Sequence, residues 1–510
     1  MVFRLSLALV GLFLGWGIVA PSQLSSITQF LLNQTLDRFG WFYLLSMLTF
    51  LLFTTFLALS RFGQIRLGGI DAKPEFSYLS WFAMLFAAGM GIGLVFYGAA
   101  EPLSHYASPP AGVKALTAQA GREAMRQAFF HWGLHPWAAY SIVALALAYT
   151  QFNLKRPALL SAALEPLLGH HAQGGIGHSI DTLAILCTAF GVATSLGLGT
   201  LQITTGLQVV FGIQNDTTTQ LLVIAVTTVV FLASAMTGLQ RGIQWLSNAN
   251  LGLAAALALL VLVCGPTLFI LDVFTTTLGS YLNNLLSTSL KLTPFVGDNW
   301  VKDWTVFYWA WWITWSPFVG LFIARISRGR TIREFVLGVM LAPTLLSFAW
   351  FAIFGGTGLH QAIFDGAPMV AAVQADIASA LFNLFANLPM AQWLSLIALL
   401  LLAVFFVTSA DSATYVLGML SSGGAANPSG WLKMCWGLMI SGIASVLLLS
   451  GGLKGLQAMV IITALPFAVL MLGLCLALYR VLDADIVSQQ QRELKRRAKV
   501  DGLLAEATRT

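Results

Sequence analysis

Tryptophan side chains are concentrated in residues 303–318, where their aromatic faces could bind a cation. The tryptophans of this stretch are Trp304, Trp309, Trp311, Trp312 and Trp315. On a helix, Trp309, Trp312 and Trp315 recur every three residues, and we expect them to share one face. Pro317 removes a backbone hydrogen bond, so we expect the helix to loosen there. Aromatic faces hold quaternary ammonium groups by cation–π attraction. The alternative is an aromatic belt at the membrane surface, but belts are spread over many helix ends.

Three glycines at alternate positions, Gly89, Gly91 and Gly93, lie within a long apolar run, 79–100. Gly89 and Gly93 alone have the four-residue spacing that lets two membrane helices pack closely. The additional Gly91 favours local unwinding, which is tolerated at mid-membrane only where the backbone lines a cavity. The pattern therefore indicates either a close helix contact or a binding site made of backbone groups.

A second aromatic group lies in the apolar run 128–151 and contains Trp132, Trp137 and Tyr140. These rings could complete an aromatic cage with the tryptophans of 303–318, and Tyr140 adds a hydroxyl at the edge of its ring. The sequence therefore predicts that two segments far apart in the chain contribute to one cation site.

Two histidines of the same run, His131 and His135, have the four-residue spacing of metal ligands on a helix. No glutamate stands beside the first histidine, and Pro136 interrupts the turn. We therefore expect hydrogen-bonded core histidines rather than metal ligands. A membrane-embedded metalloenzyme that uses these histidines with Asp411 is the alternative from another functional class.

Hydroxyl and carboxylate groups occur together in the apolar run 392–417, at Thr408, Ser409 and Asp411. Such groups are costly inside a membrane helix unless they serve a site or a hydrogen-bond network. Thr408 and Ser409 offer oxygen ligands to a small hard cation, with Asp411 as a network partner. In the alternative interpretation, the hydroxyls bond back to the preceding turn of their own helix.

The composition places these residues in a membrane protein. The chain is 58% hydrophobic and only 9% charged, whereas about a quarter of the residues of a soluble protein are charged. Twelve apolar runs are long enough to span a bilayer. They lie near 5–20, 41–60, 79–100, 128–151, 181–211, 219–238, 251–271, 304–324, 335–355, 392–417, 433–450 and 457–479. The 4 cysteines lie inside or at the edge of these runs, as small core residues do.

The net charge of +6 indicates membrane topology rather than nucleic-acid binding. Most lysines and arginines fall on one side of the predicted spans, so the positive-inside rule puts both termini in the cytoplasm. The basic tail, 488–510, is expected to rest on anionic lipid. Semi-apolar pieces of two outer loops, 278–290 and 369–386, predict helices on the membrane surface. A short amphipathic helix is predicted on the inner face at 239–250.

Together these segments resemble the betaine/carnitine/choline transporter family. The matching motifs are Asp303–Trp312, Ser316–Gly320, Ala324–Phe335, the glycine motif, His131–Tyr140 and Thr408–Ser412. The resemblance covers nearly the whole chain and implies an all-α polytopic fold of 12 transmembrane helices with leucine-transporter-type architecture. Two N-terminal helices would precede two five-helix repeats of inverted topology. The implied segments are 1–78 for the N-terminal helices, 79–272 and 304–480 for the repeats, 273–303 for an outer surface helix and loop, and 481–510 for the tail.

The resemblance also implies roles for individual residues. The trimethylammonium cage would be formed by Trp132, Trp137, Tyr140 and Trp312, with Trp311, Trp315 and Phe318 further along the path. The substrate carboxylate would face the backbone of Gly89, Met90, Gly91 and Gly93. Sodium would be bound by backbone carbonyls of Ala87, Met90 and Phe405 and by the hydroxyls of Thr408 and Ser409. A second ion site would include Thr188 and Phe318, but Val192 stands where glycine betaine transporters of the family have a threonine.

The implied function is import of a zwitterionic compatible solute, glycine betaine before others, by symport with Na⁺ across the bacterial inner membrane. The run 181–211 contains no Lys or Arg, whereas sodium-independent exchangers of the family place an arginine at the ion position. Gly93 favours a zwitterion, since choline-preferring relatives tend to carry an acidic residue in this segment. The alternative is proton-coupled or exchange transport of choline, carnitine, ectoine or dimethylsulfoniopropionate. The resemblance further implies a homotrimer, no enzymatic activity and no cofactor besides the coupling Na⁺.

Overall fold

The computed structural model of the chain describes residues 1–89, 91–237 and 240–507, with side chains except at 86–89, 237, 240–245, 247, 489 and 492–507. The described chain forms α-helices, short 3₁₀ and π-helical turns, and no strand. The helices are α1 (Val2–Val19), α2 (Pro21–Leu59), α3 (Tyr78–Gly89), α4 (Ile92–Ala107), α5 (Ala118–Trp132), α6 (Leu134–Ala148), α7 (Leu160–Ala163), α8 (Glu165–Leu168), α9 (Gly175–Phe211), α10 (Thr217–Thr237), α11 (Gln240–Cys264), α12 (Thr267–Ser289), α13 (Phe307–Ile326), α14 (Ile332–Ile363), α15 (Met369–Ala375), α16 (Ala380–Ala386), α17 (Ala391–Ser421) and α18 (Gly430–Ala507).

Eight of the described helices are long and apolar enough to cross a bilayer, or nine if the bent pair α11 and α12 counts as one span. The eight are α1, α2, α9, α10, α13, α14, α17 and α18. The chain is therefore an all-helical, multi-pass membrane protein. Two further predicted spans are each divided between shorter helices, α3 with α4 and α5 with α6, and the last two predicted spans both lie in α18. The total of twelve stays a prediction.

The interruption predicted at the alternating glycines is present. α3 ends at Gly89, and α4 begins at Ile92. Between them Gly91 is extended, with φ −142° and ψ −172°. Gly93 belongs to the first turn of α4, so the unwound segment is shorter than the glycine motif.

Two other breaks also fall at glycines, and each has a local cause. Gly133 separates α5 from α6. A Cβ there would lie 2.5 Å from the Phe129 carbonyl oxygen and 2.8 Å from the Tyr281 hydroxyl, so a larger residue would displace both. Gly452 divides α18 with φ +54° and ψ −139°, a conformation that L side chains rarely adopt.

Helix α13 carries the tryptophan-rich stretch and continues through Pro317 to Ile326. The proline cannot bond the carbonyl four residues earlier, which belongs to Ile313. The Ser316 hydroxyl donates to that carbonyl at 2.7 Å, so the freed acceptor is satisfied. The expected loosening at Pro317 is therefore wrong. A π-helical turn, Lys302–Val306, instead precedes the helix.

The centre of the molecule is formed by α9 and α13. In the most apolar 18-residue stretch of α9, and likewise of α13, 89% of the residues are buried. In the corresponding stretches of α1 and α10, 22% of the residues are buried. α13 packs on α6, α9 and α18, and α9 also packs on α17 and α18. Residues of α9 and α13 therefore face other helices, whereas α1 and α10 leave most of their apolar surface to the surroundings.

The semi-apolar outer loops contain helices, as predicted. α12 begins directly after Pro266, earlier than the predicted 278, and bends by 110° away from 248–264. In the second loop, α15 and α16 flank a 3₁₀ turn, Ile377–Ser379. The helix predicted on the inner face at 239–250 is continuous with α11 from Gln240 onward, and its first residue lies outside the described ranges.

Candidate functional site

A cavity lies where α4, α5, α6, α9, α13 and α17 meet. Its lining residues are Gly91, Ile92, Gly93, Leu94, Trp132, Tyr140, Ser195, Trp311, Trp312, Trp315 and Ser409. The volume of the cavity that the centre of a water molecule can occupy is about 20 Å³. That is room for about one water. Ring displacement is therefore needed to admit a larger ligand.

The aromatic rings around the cavity meet mostly at right angles, with Trp312 at their centre. Trp132 contacts Trp312 edge to face, with ring centroids 4.8 Å apart, and Tyr140 does so at 6.2 Å. Trp311 stacks on Trp312 at 5.2 Å. Trp137 packs edge-on against Tyr140 at 5.5 Å. The four rings assigned to the cage thus form one contiguous cluster. Trp132, Tyr140 and Trp312 line the cavity, where ring faces can hold a cation, whereas Trp137 does not line it.

Protein acceptors fix the orientation of three of the lining indoles. Trp312 Nε1 donates to the His131 carbonyl oxygen at 2.9 Å, and Trp315 Nε1 donates to the Gly191 carbonyl oxygen at 2.9 Å. Trp132 Nε1 donates to Glu101 Oε2 at 2.8 Å. Trp311 Nε1 is buried and has no protein partner. The first three rings are therefore held by their polar edges, which leaves their faces for apolar or cationic contacts.

Glu101 is the polar centre of this arrangement, and sequence reasoning assigned it no role. The residue is fully buried in α4. Its Oε2 accepts from Trp132 and, at 2.6 Å, from the Tyr308 hydroxyl. Its Oε1 lies 2.7 Å from His131 Nδ1 and 3.1 Å from His105 Nε2. The available signal was an ionisable residue at the end of the apolar run 79–100, which in a membrane protein is a functional-site hypothesis by default.

The two histidines with metal-ligand spacing do not converge on one point. They lie on opposite sides of the Gly133 break, and His135 Nε2 lies 2.9 Å from the Ser289 hydroxyl. His131 bonds Glu101 and, through Nε2 at 2.9 Å, the Thr305 hydroxyl. The structure thus has the hydrogen-bonded core histidines that we expected.

Trp309 lies outside the cage, contrary to the expectation that it shares a face with Trp312 and Trp315. It stacks on His135 at 5.1 Å and meets Phe130 at 5.0 Å. A helix turns about 100° per residue, so each three-residue step falls about 60° short of a full turn. Over two steps the direction drifts by about 120°, which moves Trp309 off the cavity face.

The glycine segment supplies the cavity with backbone groups. The cavity is lined by residues 91–94, which form the N-cap and the beginning of α4. A Cβ at Gly93 would lie 3.1 Å from Cζ2 of Trp311 and closer still to Cη2, so glycine permits this ring to pack on the helix. Gly89 ends α3, and Met90 lies outside the described residues.

The hydroxyls assigned to sodium lie on the α17 side of the cavity. Ser409 lines the cavity. Thr408 Oγ1 donates to its own helix, with the Val404 carbonyl oxygen at 2.9 Å and the Phe405 carbonyl oxygen at 3.3 Å. The Phe405 carbonyl assigned as a ligand is therefore beside the Thr408 hydroxyl. Ala87 precedes the end of α3, and its side chain is outside the described set.

Asn250, at the start of the apolar part of α11, was not predicted from sequence. Its Nδ2 donates to Thr408 Oγ1 at 2.9 Å, and its Oδ1 is buried without a protein partner. Thr408 is therefore held from a second helix, with an additional amide oxygen close to it.

The residues assigned to a second ion site do not form an oxygen cluster. Thr188 Oγ1 donates to the Ala184 carbonyl oxygen of its own helix at 2.8 Å. Val192, one turn later, is buried. Phe318 packs edge-on against Trp315 at 5.4 Å, at the edge of the aromatic cluster.

Comparison with known proteins decides the family. The sequence model for the betaine/carnitine/choline family transporters matches residues 1–487. The chain belongs to this family. It is 49% identical over 503 residues to a glycine betaine transporter of Bacillus subtilis, covering 98% of this chain and 96% of the relative. It is 46% identical over 494 residues to an ectoine/hydroxyectoine transporter of Virgibacillus pantothenticus, covering 96% and 98%.

A further member, a glycine betaine transporter of Acinetobacter baylyi, is 41% identical over 490 residues, which are 96% of this chain and 74% of that protein. Family membership shows that this betaine/carnitine/choline family protein is a multi-pass membrane transporter and not an enzyme. The metalloenzyme alternative is therefore wrong.

Proposed function

We propose that this transporter imports a zwitterionic quaternary-ammonium solute, glycine betaine before others, together with Na⁺. The observation that carries the proposal is the juxtaposition of the aromatic cluster and the beginning of α4 around one cavity. Aromatic faces attract the trimethylammonium group. The first N–H groups of a helix lack internal partners and attract a carboxylate. A zwitterion satisfies both ends of such a cavity.

The distribution of charge around the cavity supports a zwitterion over a simple cation. No Asp or Glu is among the described residues that line it, and the lining groups near α4 are glycine backbone and apolar side chains. A ligand such as choline would place a hydroxyl, not a carboxylate, at the positive end of the helix dipole. We expect choline, carnitine and ectoine to compete more weakly than glycine betaine. Ectoine is the second candidate substrate, because a relative with 46% identity is an ectoine/hydroxyectoine transporter.

Sodium coupling is supported by the hydroxyls of α17. Ser409 lines the cavity, and Thr408 lies next to it in the chain with the unpartnered Asn250 Oδ1 close by. Oxygen ligands of this kind suit a hard cation. In α9, the stretch 181–211 contains no lysine or arginine that could substitute for the ion's charge. We infer symport with one Na⁺ rather than proton coupling or exchange.

We further propose the architecture in which this mechanism operates. It consists of twelve membrane spans with two inverted five-helix repeats of the leucine-transporter type, both termini in the cytoplasm, in the bacterial inner membrane. The break between α3 and α4 falls in the first helix of one repeat, a position at which such transporters bind their substrate. A homotrimer and contact of the basic tail with anionic lipid belong to the same proposal; the side chains of that tail lie outside the described set.

Uptake by the purified protein in liposomes tests the function. We expect accumulation of labelled glycine betaine when an inward Na⁺ gradient is imposed, and none when Na⁺ is equal on both sides without a membrane potential. Uptake driven equally well by a proton gradient in Na⁺-free buffer would reject sodium symport. Exchange would show as uptake that requires internal substrate. Ectoine uptake faster than glycine betaine uptake at equal concentration would reverse the order of the two substrates.

A further inference from the structure

We propose that Glu101 determines the selectivity of the cage for a cationic head group over a neutral group of the same shape. The inference rests on the proposed function, because it assumes that the cage binds a quaternary ammonium group. Glu101 does not line the cavity. Its carboxylate touches the outer edges of Trp132 and Tyr308, so one layer of aromatic rings separates the carboxylate from the cage.

The hydrogen bonds identify Glu101 as an ionised carboxylate. Its two oxygens have four partners, two on each oxygen, and all four can donate. The indole of Trp132 can only donate. A carboxylate accepts from all four partners at once, whereas a protonated one would turn Tyr308 or one of the histidines from a donor into an acceptor.

The two histidines beside Glu101 fit the neutral state. His131 donates from Nδ1 to Glu101, and its Nε2 can accept from the Thr305 hydroxyl. The Nε2 atom of His105 forms a hydrogen bond with Glu101, and the buried Nδ1 atom of His105 has no hydrogen-bond partner among the described residues. A doubly protonated His105 would leave an N–H of a buried cation unbonded, which is costly. With both histidines neutral, the cluster carries the one negative charge of Glu101.

This charge acts on the cage through the rings. Glu101 is fully buried, and its hydrogen-bond partners include no lysine or arginine that would neutralise it. In a medium of low dielectric constant its field reaches further than in water. The indole of Trp132 donates to an anion and is polarised toward a more negative face, whereas the indole of Trp312 donates to a neutral backbone carbonyl. Both effects stabilise a cation that is held between the rings. Neither effect stabilises an uncharged group of equal size.

Metal binding does not explain the cluster. Ligand atoms of Glu101, His105 and His131 lie within 4.8 Å of one another. However, both histidine nitrogens bond the same carboxylate oxygen directly, at 2.7 and 3.1 Å. A zinc ion needs each ligand at about 2.0–2.2 Å in a tetrahedral arrangement, with the ligands turned toward the ion and not toward each other.

The test compares two ligands on two matched variants. Glycine betaine is compared with 3,3-dimethylbutanoate, in which carbon replaces the ammonium nitrogen while shape and carboxylate are kept. The variant is Glu101→Gln. The control is Glu123→Gln, because Glu123 is also a buried carboxylate, bonded to Arg126 at 2.5 Å and to Gln127 at 2.7 Å rather than to a cage ring. Both dissociation constants are measured on purified protein at one saturating Na⁺ concentration.

For Glu101→Gln we expect the Kd of glycine betaine to rise by about tenfold, the size of a strong cation–π contribution. The Kd of the neutral isostere should change by less than about twofold, so that the preference for the cation is lost. Glu123→Gln should keep the wild-type preference. Equal weakening of both ligands would show that Glu101 only holds the rings in place and would overturn the proposal, as would an unchanged preference.

Tyr308→Phe provides the second arm if Glu101→Gln does not yield monodisperse protein. This change keeps the carboxylate and removes one donor that partly neutralises it, so the preference for glycine betaine should stay equal or rise. A fall in preference would overturn the proposal. The proposed function fails separately, because wild-type protein that binds neither ligand rejects the substrate class without regard to Glu101.

Discussion

The aromatic cage and the hydroxyl pair of α17, of which Ser409 lines the cavity, are built in opposite ways. At the cage, the indole N–H groups of Trp132 and Trp312 already donate to protein acceptors, and these two rings contact each other. At the hydroxyl pair, Thr408 donates back into its own helix, and among the described residues Asn250 of α11 holds it from a second helix. The polar edges of the cage rings are therefore fixed by the protein, and only ring displacement opens the space for a ligand, whereas the proposed ion ligands depend on the relative position of several helices.

Because of this difference, the free-energy cost of binding a cation at the cage differs from the cost of binding an ion at the hydroxyl pair. Rings held by their polar edges lose little side-chain entropy when a cation enters, but the displacement that admits the cation offsets part of the cation–π attraction. Oxygen ligands that already have partners must exchange them for the ion, and the affinity for sodium then depends on how the neighbouring helices are placed. Substrate binding that moves α4 or α13 toward α17 would thus raise the affinity for the ion, and the reverse follows from linkage.

The largest effect is expected at the cage. Trp312→Leu removes the ring that contacts both Trp132 and Tyr140, and a desolvated cation–π contact contributes about 2 kcal/mol. The Kd of glycine betaine should rise by roughly thirtyfold, at tenfold per 1.4 kcal/mol. Trp393→Leu is the control, because that tryptophan is 62% exposed on α17. Isothermal titration calorimetry at saturating Na⁺ measures both, and near-normal affinity in Trp312→Leu would remove this ring from the site.

A smaller effect, on a different ligand, is expected at the hydroxyl pair. Thr408→Ala combined with Ser409→Ala should raise the Na⁺ concentration for half-maximal uptake by about tenfold, while glycine betaine binding at saturating Na⁺ survives in part. Thr414→Ala is the matched control, since its hydroxyl bonds the Asp411 carbonyl of the same helix at 2.7 Å. The two-residue variant would contradict the ion assignment if its sodium dependence matched that of the wild type.

The contact between the beginning of α4 and the tryptophans of α13 can be tested at Gly93. Gly93→Ala drives a methyl group into Trp311, and overpacking of this kind costs about 1–3 kcal/mol. We expect a loss of glycine betaine affinity of about five- to tenfold, because this ring stacks on Trp312. Gly252→Ala, where a Cβ would meet nothing within 4 Å, should leave the affinity unchanged. Equal affinities of the two variants would show that Trp311 moves freely.

The smallest effect concerns the number of ions. Val192 supplies no oxygen one turn after Thr188, whose hydroxyl is bonded within α9. We expect a Hill coefficient for Na⁺ of about 1 in uptake assays, since it cannot exceed the number of coupled sites. Val192→Thr is the single change most expected to raise it, and Val192→Ala, which adds no oxygen, is the control. A wild-type coefficient of about 2 would refute the single-ion assignment.

The sequence by itself determined the class of the protein and most of the cage. Long apolar runs require helices in a membrane, because backbone groups there must be bonded within their own segment. Trp132, Tyr140, Trp311, Trp312 and Trp315 could be singled out because tryptophan and tyrosine are rare and chemically specific. The break at the alternating glycines could be predicted for the same reason, since few arrangements tolerate three glycines so close together.

Only the tertiary structure decided which tryptophans meet and what fixes them. Trp309 has the same spacing as its neighbours, yet the drift of the helix places it on His135. Pro317 does not loosen α13, because the hydroxyl one residue earlier satisfies the freed carbonyl. The bonds of Glu101 join residues up to 207 positions apart. Such contacts depend on the packing of three helices, and no local pattern of residues encodes that packing.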